Sequence, residues 1–351
     1  MIKYLGSKRV LVPTLVELVR GLDGVRRVGD LFSGTSRVGH ALKDAGFAVV
    51  SNDHNAYAEA LALCYVQADR GAHLEPASEL LAELAEVPPQ PGYFCRTFCE
   101  ESRFFQPHNG ARIDAMRDAI AEWKRAGRLG SGTRGRELEA ILLVSLMEAA
   151  DRVDSTTGVQ MAYLKQWAER SERALELRLP ALLPRARAGR GRALCRDALD
   201  AAELLGDAVD AVYLDPPYNQ HKYLGNYHIW ETLVRWDAPE VYGVAKKRVD
   251  CRAQKSAFNS KPRARAALEA VVQACLAGER VRHVVLSFSD EGFLTRDDLF
   301  GMLRPHGAVE LLELDHKRYV GAQIGIHNPR GERVGQVGKL RNKELVFILS
   351  R

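Results

Sequence analysis

Apolar residues recur along the chain with two different periods, and the switches between them mark out its elements. Residues 25–34 (VRRVGDLFSG) read as a short strand entering a glycine turn; helical spacing follows through Val38, Leu42 and Ala45, stopped by Gly46. FAVVS at 47–51 is a second buried strand, too short and too β-branched for a helix. Strand, turn, helix and strand in that order open a doubly wound sheet. Residues 56–68 and 78–87 carry helical period, the latter broken by Pro88 and Pro89. Residues 109–126 and 136–153 read as amphipathic helices on either side of a glycine-rich link at 127–135. Strands return near Ala193, at 208–215 (AVDAVYLD) and at 283–289 (HVVLSFS); 308–314 and 343–349 form a final hairpin. The expected fold is α/β, a Rossmann-like doubly wound sheet with a mainly helical insertion. Its expected divisions are a first part of the core at 1–70, the insertion at 71–187 and the rest of the core at 188–351.

Composition narrows the class without naming it. A length of 351 residues suits one large domain with an insertion, or two domains. Hydrophobic residues at 46% and charged residues at 27% are ordinary globular usage, which excludes disordered, collagen-like and coiled-coil chains. No run approaches the roughly 18 apolar residues of a membrane span, and the first residues lack the layout of a signal peptide. A cytoplasmic protein without a membrane partner is expected. Six dispersed cysteines, with no CxxC pair and no histidine pair beside Cys95 and Cys99, read as free thiols; no metal site is expected.

The charge is +5, from 50 basic and 45 acidic residues, and its distribution is uneven. RARAGRGRALCR at 185–196 holds five arginines and no acid. KKRVDCRAQKSAFNSKPRAR at 246–265 sets eight basic residues against Asp250 alone. The second run, within a basic stretch near 240–266, also carries Gln254, Phe258 and Asn259, groups able to touch bases. Read as a polycationic loop, it makes Lys246, Lys247, Arg248, Arg252, Lys255 and Lys261 candidates for contact with a phosphate backbone.

Asp215-Pro216-Pro217-Tyr218 is the sharpest chemical feature. It ends an apolar strand at the edge where open α/β sheets place their ligands. Two prolines stiffen the turn and donate nothing. A carboxylate, a fixed carbonyl and an aromatic plane on one corner suit an exocyclic amine, whose two N–H bonds need acceptors while its ring needs a stacking surface. Asp30-Leu31-Phe32-Ser33-Gly34-Thr35-Ser36 is a strand-end acid, a small-residue turn and a helix start, without the full GxGxxG. No GxxxxGK[ST] exists in the chain. An adenosine-bearing ligand without phosphates remains. Asp53, ending the next strand, stands where an acid would hold ribose hydroxyls, and equally where a helix cap would stand.

KYLGSK at 3–8, DLFSGTSRVG at 30–39, SND at 51–53 and DPPYNQHKY at 215–223 together resemble the Dam-like class of DNA adenine-N6 methyltransferases, and most nearly members encoded with restriction systems. RDAL near Asp197, LSFSDEG at 286–292, IGIHNPRGERVG at 324–335 and NKELVFI at 342–348 fit its later motifs. The resemblance implies a Rossmann-like methyltransferase sheet, with the insertion as candidate target-recognition domain. It implies S-adenosyl-L-methionine as cofactor, held by Tyr4, Gly6 and Lys8, by Asp30, Phe32 and Gly34, by Asp53 at the ribose and by Asp197 at the adenine moiety. It implies Asp215, Pro216, Pro217 and Tyr218 as the catalytic set, double-stranded DNA as partner, and a cognate restriction endonuclease alongside. Thr35 and Ser36 depart from the pattern where a second small residue, often glycine, is common. The same tetrapeptide serves N4-cytosine methylation; that reading, methylation of structured RNA or of a protein glutamine, and a catalytically silent DNA-binding protein with the same fold all stay open. His221, His228 and Trp230 sit in an aromatic-rich stretch that shapes a base pocket or packs a helix. His316 and His327 read as structural, and the polar stretch 151–165 as a loop between helices, either facing DNA or serving as a connection alone.

Overall fold

The computed structural model describes residues 1–6, 8–220, 222–254, 256–317 and 341–351. The motif expected at 324–335, with His327, lies outside the described residues, as do His221, Lys255 and the side chain of His316. Two compact units divide the chain: Met1–Ala201 with Lys222–Lys255, and Ala202–His221 with Ser256–Arg351.

In the first unit, β1 (Arg27–Asp30), β2 (Ala48–Asp53) and β3 (Arg192–Cys195) pair in parallel in the order β3-β2-β1. Helix Arg37–Asp44 makes the β1–β2 crossover, and Gly39 seats it: a Cβ there would come within 2.7 Å of Ser51 Oγ. The helix expected over 56–68 is α-helical at Ala56–Ala62 and widens into a π turn over Leu63–Gln67. The expected insertion at 71–187 sends its helices into the same apolar core as Tyr57 and Leu61, with Ile141, Met147 and Trp230. Helix Arg70–Ala85 starts earlier than the sequence suggests and runs through Pro76. Proline removes the N–H that would bond the carbonyl of Ala72, and the Arg134 guanidinium donates to that oxygen instead, at 3.1 Å. Helices Pro107–Arg125 and Gly132–Arg152 follow, near their expected places.

In the second unit, β4 (Ala211–Leu214) pairs in parallel with β7 (His283–Ser289), and β7 is antiparallel to β9 (Arg341–Ser350), which closes a ten-pair hairpin with β8 (Ala308–Lys317). The two remaining strands, β5 (Val241–Tyr242) and β6 (Lys247–Arg248), form a small antiparallel hairpin in the first unit. The segment 246–265 is therefore not one loop. It passes from this hairpin through short turns at Asp250–Ala253 and Ala257–Asn259 into helix Lys261–Ala277.

Candidate active site

The first unit assembles a cluster around Tyr4. Lys3 fixes the N-terminal segment: its Nζ pairs with Asp154 at 2.7 Å and its backbone N–H donates to Asp151 at 3.1 Å, so the polar 151–165 stretch works as a clasp. Tyr4 is stacked between Tyr223 and Tyr227, with centroids 5.3 and 4.6 Å away. Its hydroxyl lies 3.3 Å from that of Tyr57. Burial, with Tyr57 and Asp53 adding to it, raises the Tyr4 phenol well above its ordinary range, so it stays a donor.

Gly34 sits against the hydroxyl end of this ring. Its φ is +48°, and a Cβ would fall 3.1 Å from Tyr4, so both conformation and space demand glycine. The Gly34 N–H donates to Asp53 Oδ2 at 3.1 Å, while Asp53 Oδ1 accepts from the Asn55 backbone at 3.0 Å and side chain at 2.9 Å. Asp53 is thus half-buried and held at the end of β2. Asp30 is buried at the end of β1 and accepts from the Gly39 N–H at 3.1 Å, tying the strand end to the crossover helix. Lys8 is buried and Phe32 half-buried; Gly6 is exposed at φ +72°. Asp197, exposed just after β3, receives the Leu199 N–H at 2.9 Å and so caps helix Ala198–Leu205. Ser36 adopts φ +57° with no glycine, and this is the conformational cost of the departure seen in the sequence.

Tyr57, Tyr223, Tyr227 and Glu231 are functional candidates that sequence reasoning missed. Glu231 accepts the backbone N–H groups of Ala56 (3.3 Å) and Tyr57 (3.1 Å), holding the start of the helix that follows Asp53. The dense aromatic stretch YLGNYHIWE carried the signal. His228 proves structural: it is buried against the Gln160 carbonyl at 3.0 Å, and burial pushes its pKa down to about 3.

The second unit carries the Asp215–Tyr218 corner expected to be catalytic. β4 runs straight into Asp215, half-buried, and Pro216, buried. The Tyr218 hydroxyl donates to Asp215 and lies 2.7 Å from Glu344 on β9, which is 5% exposed. Its ring lies 4.8 Å from Phe288 of β7 at a 44° tilt, and its carbonyl accepts the Phe293 N–H at 2.9 Å. Gly292 permits this packing, since a Cβ there would fall 2.2 Å from the Phe288 ring. Burial first, then Asp215 and Glu344, raise the Tyr218 phenol well above its usual value. Glu344 and Phe288 were not singled out in the sequence, although both lie in stretches that fit later motifs.

The basic candidates separate. Arg252 is exposed, its guanidinium 3.8 Å from the Tyr242 ring centroid; Lys261 is exposed at the start of its helix. Lys246 is tied to Glu101 at 2.7 Å, and Lys247 Nζ rests 3.0 Å from Met161 Sδ. Arg248 corrects the reading of this run as surface charge. Its side chain is 1% exposed and forks onto Asp237 at 2.7 Å and Asp250 at 2.8 Å. Burial works against the charge, but these carboxylates outweigh it and raise the pKa. Arg248→Ala is expected to destabilise the protein by about 2 kcal/mol, less than a fully buried pair because both acids are about one-third exposed. Chemical denaturation checks this; a midpoint equal to wild type would show that Arg248 does not hold the hairpin.

Among the described residues no helix is long and apolar enough to cross a membrane. The profile of the D12 class N6 adenine-specific DNA methyltransferases matches residues 4–284. The chain belongs to this family. It is 28% identical to modification methylase StsI of Streptococcus sanguinis, over 92% of this chain and 49% of that protein. It is 29% identical to type II methyltransferase M.NlaIII of Neisseria lactamica, over 90% of this chain and 92% of that protein. Against type II methyltransferase M.FokI of Planomicrobium okeanokoites identity is 28%, over 90% of this chain and 49% of that protein. The chain thus spans about half the length of the StsI and M.FokI proteins and nearly all of M.NlaIII.

Proposed function

We propose that this chain transfers the methyl group of S-adenosyl-L-methionine to the N6 amine of an adenine flipped out of duplex DNA. The observation that carries this reading is the corner Asp215-Pro216-Pro217-Tyr218 at the end of β4, in a chain of the D12 family. The cofactor supplies an activated sulfonium methyl, so the protein needs no strong base; its task is to orient and polarise the amine. Asp215 accepts one N–H and the Pro216 carbonyl the other, which localises the nitrogen lone pair for attack. Tyr218 offers its ring to the base. Flipping costs a few kcal/mol, offset by contacts to the distorted duplex.

The donor set of the first unit fits the cofactor. Asp53 presents a carboxylate suited to a ribose diol, Asp197 an exposed one suited to an exocyclic amine, and the tyrosines at Tyr4 an electron-rich wall suited to a sulfonium. Type II relatives extend the proposal to a cognate restriction endonuclease that cuts the unmethylated site. Incubating the purified protein with duplex DNA and labelled S-adenosyl-L-methionine, followed by nucleoside mass spectrometry, tests the reading. N6-methyladenine is expected. N4-methylcytosine instead would overturn the base assignment, and no labelled nucleoside at all would overturn the reading itself.

A narrower prediction concerns Asp53. Asp53→Ala should weaken cofactor binding about 10- to 100-fold, the scale of losing charge-assisted hydrogen bonds. Asp53→Asn should recover part of it. Unchanged affinity by calorimetry in a folded Asp53→Ala protein would remove Asp53 from the cofactor site.

A further inference from the structure

The arginine run at 185–196 divides sharply in the fold. Arg185 is paired with Asp69 at 2.8 Å, and Arg190 is bound to Glu137, a carboxylate with no solvent exposure. Arg192 and Arg196 are exposed, with no ion pair among the described residues. Gly191 brings this stretch hard against the preceding helix: a Cβ there would fall 2.4 Å from the Val66 carbonyl oxygen. β3 thus runs along the wall of a cleft of about 640 Å³.

Arg136, Arg190, Arg192 and Arg196 line that cleft, with Thr133 and Gln67. Its geometry is built rather than incidental. The Gln67 side chain, set at the end of the π turn, accepts the Ala193 N–H of β3 at 2.8 Å and donates to Glu137 at 2.8 Å. Arg136 is steadied by Glu59 at 2.8 Å, the one acid in the lining. Glu59 and Glu137 offset Arg136 and Arg190, so Arg192 and Arg196 leave the concavity positive. Pockets for small organic ligands are lined mainly by apolar and aromatic side chains. This cleft has no aromatic residue in its lining and four arginines, whose planar forks match phosphate oxygens.

We propose that the cleft along β3 binds backbone phosphates of duplex DNA. The inference rests on DNA being the substrate. Because phosphate contacts position a duplex without reading its sequence, any duplex of about 30 base pairs serves as the probe. Binding is measured by fluorescence anisotropy over a salt series, with cofactor affinity measured alongside. Arg192→Ala/Arg196→Ala should weaken binding at least tenfold at low salt. It should also flatten the log–log salt slope by up to about 1.8, roughly 0.9 for each phosphate released. Arg192→Lys/Arg196→Lys should restore most of the slope, and cofactor affinity should not change.

An unchanged slope and affinity in the alanine variant, while wild type binds the duplex, overturns the inference alone. A wild-type protein that binds no duplex fails earlier, at the DNA reading. Inorganic phosphate at matched ionic strength separates the remaining source. If it binds wild type but not the alanine variant, and the DNA slopes coincide, the cleft takes free phosphate and the proposal falls.

Discussion

Asp215→Ala is expected to abolish methyl transfer while the protein stays folded and binds cofactor as before. The carboxylate is half-buried and follows Leu214, the last β4 residue paired with β7, so the strand pairing itself does not use it. Its hydrogen bond to the amine strengthens as the nitrogen becomes tetrahedral, and an interaction stronger in the transition state appears in the rate rather than in binding. Removing one such preorganised group costs about 10²–10³-fold in other enzymes, and a similar or larger fall is expected here. Asp215→Asn should keep a fraction of the activity, because its amide oxygen still accepts a hydrogen bond without the charge. Single-turnover methylation of a short duplex, with cofactor binding in parallel, decides the matter. A wild-type rate in Asp215→Ala would remove Asp215 from the chemistry.

Much of this architecture was legible from local pattern. The strands at 47–51 and 283–289 follow from short β-branched runs, and the hairpin of β8 and β9 from two such runs near the end. The strand-end acids Asp30, Asp53 and Asp215 were legible because each follows an apolar strand and precedes a turn, at the sheet edge where open α/β folds place ligands. What escaped was everything set by long-range pairing. Eight basic residues at 246–265 look alike in sequence, yet Arg248 is buried because Asp237 and Asp250 converge on it, while Arg252 remains exposed. Charge density cannot separate those two fates; partners can. The tyrosine stack on Tyr4 joins residues more than 200 positions apart, and Glu344 reaches Tyr218 across 126. The π turn at Leu63–Gln67 was hidden for another reason: its residues fit an ordinary helix, and only the wider turn swings Gln67 to β3.

The pairing of Tyr218 with Glu344 carries the second large effect. One phenolic proton serves two carboxylates, Asp215 and Glu344, and the raised pKa keeps that proton in place through the physiological range. When an amine donates to Asp215, the hydroxyl can shift toward Glu344 without breaking away, so the ring keeps its orientation against Phe288. We propose on this geometry that Glu344 positions Tyr218. Tyr218→Ala should lose the stacking surface, worth about 1–3 kcal/mol per base, and with it roughly 10- to 100-fold in capture of the flipped base. Glu344→Ala should lower the single-turnover rate about tenfold with cofactor affinity intact, and Glu344→Gln, which still accepts the hydroxyl, should recover most of that loss. Tyr218→Phe supplies a readout that simple loosening of the fold would not give. It keeps the ring but breaks the same bridge as Glu344→Ala, so the double variant Tyr218→Phe/Glu344→Ala should be no slower than the slower of the two single variants. If the two losses add in full and Glu344→Gln is as slow as Glu344→Ala, the hydroxyl bridge has no part in positioning the base.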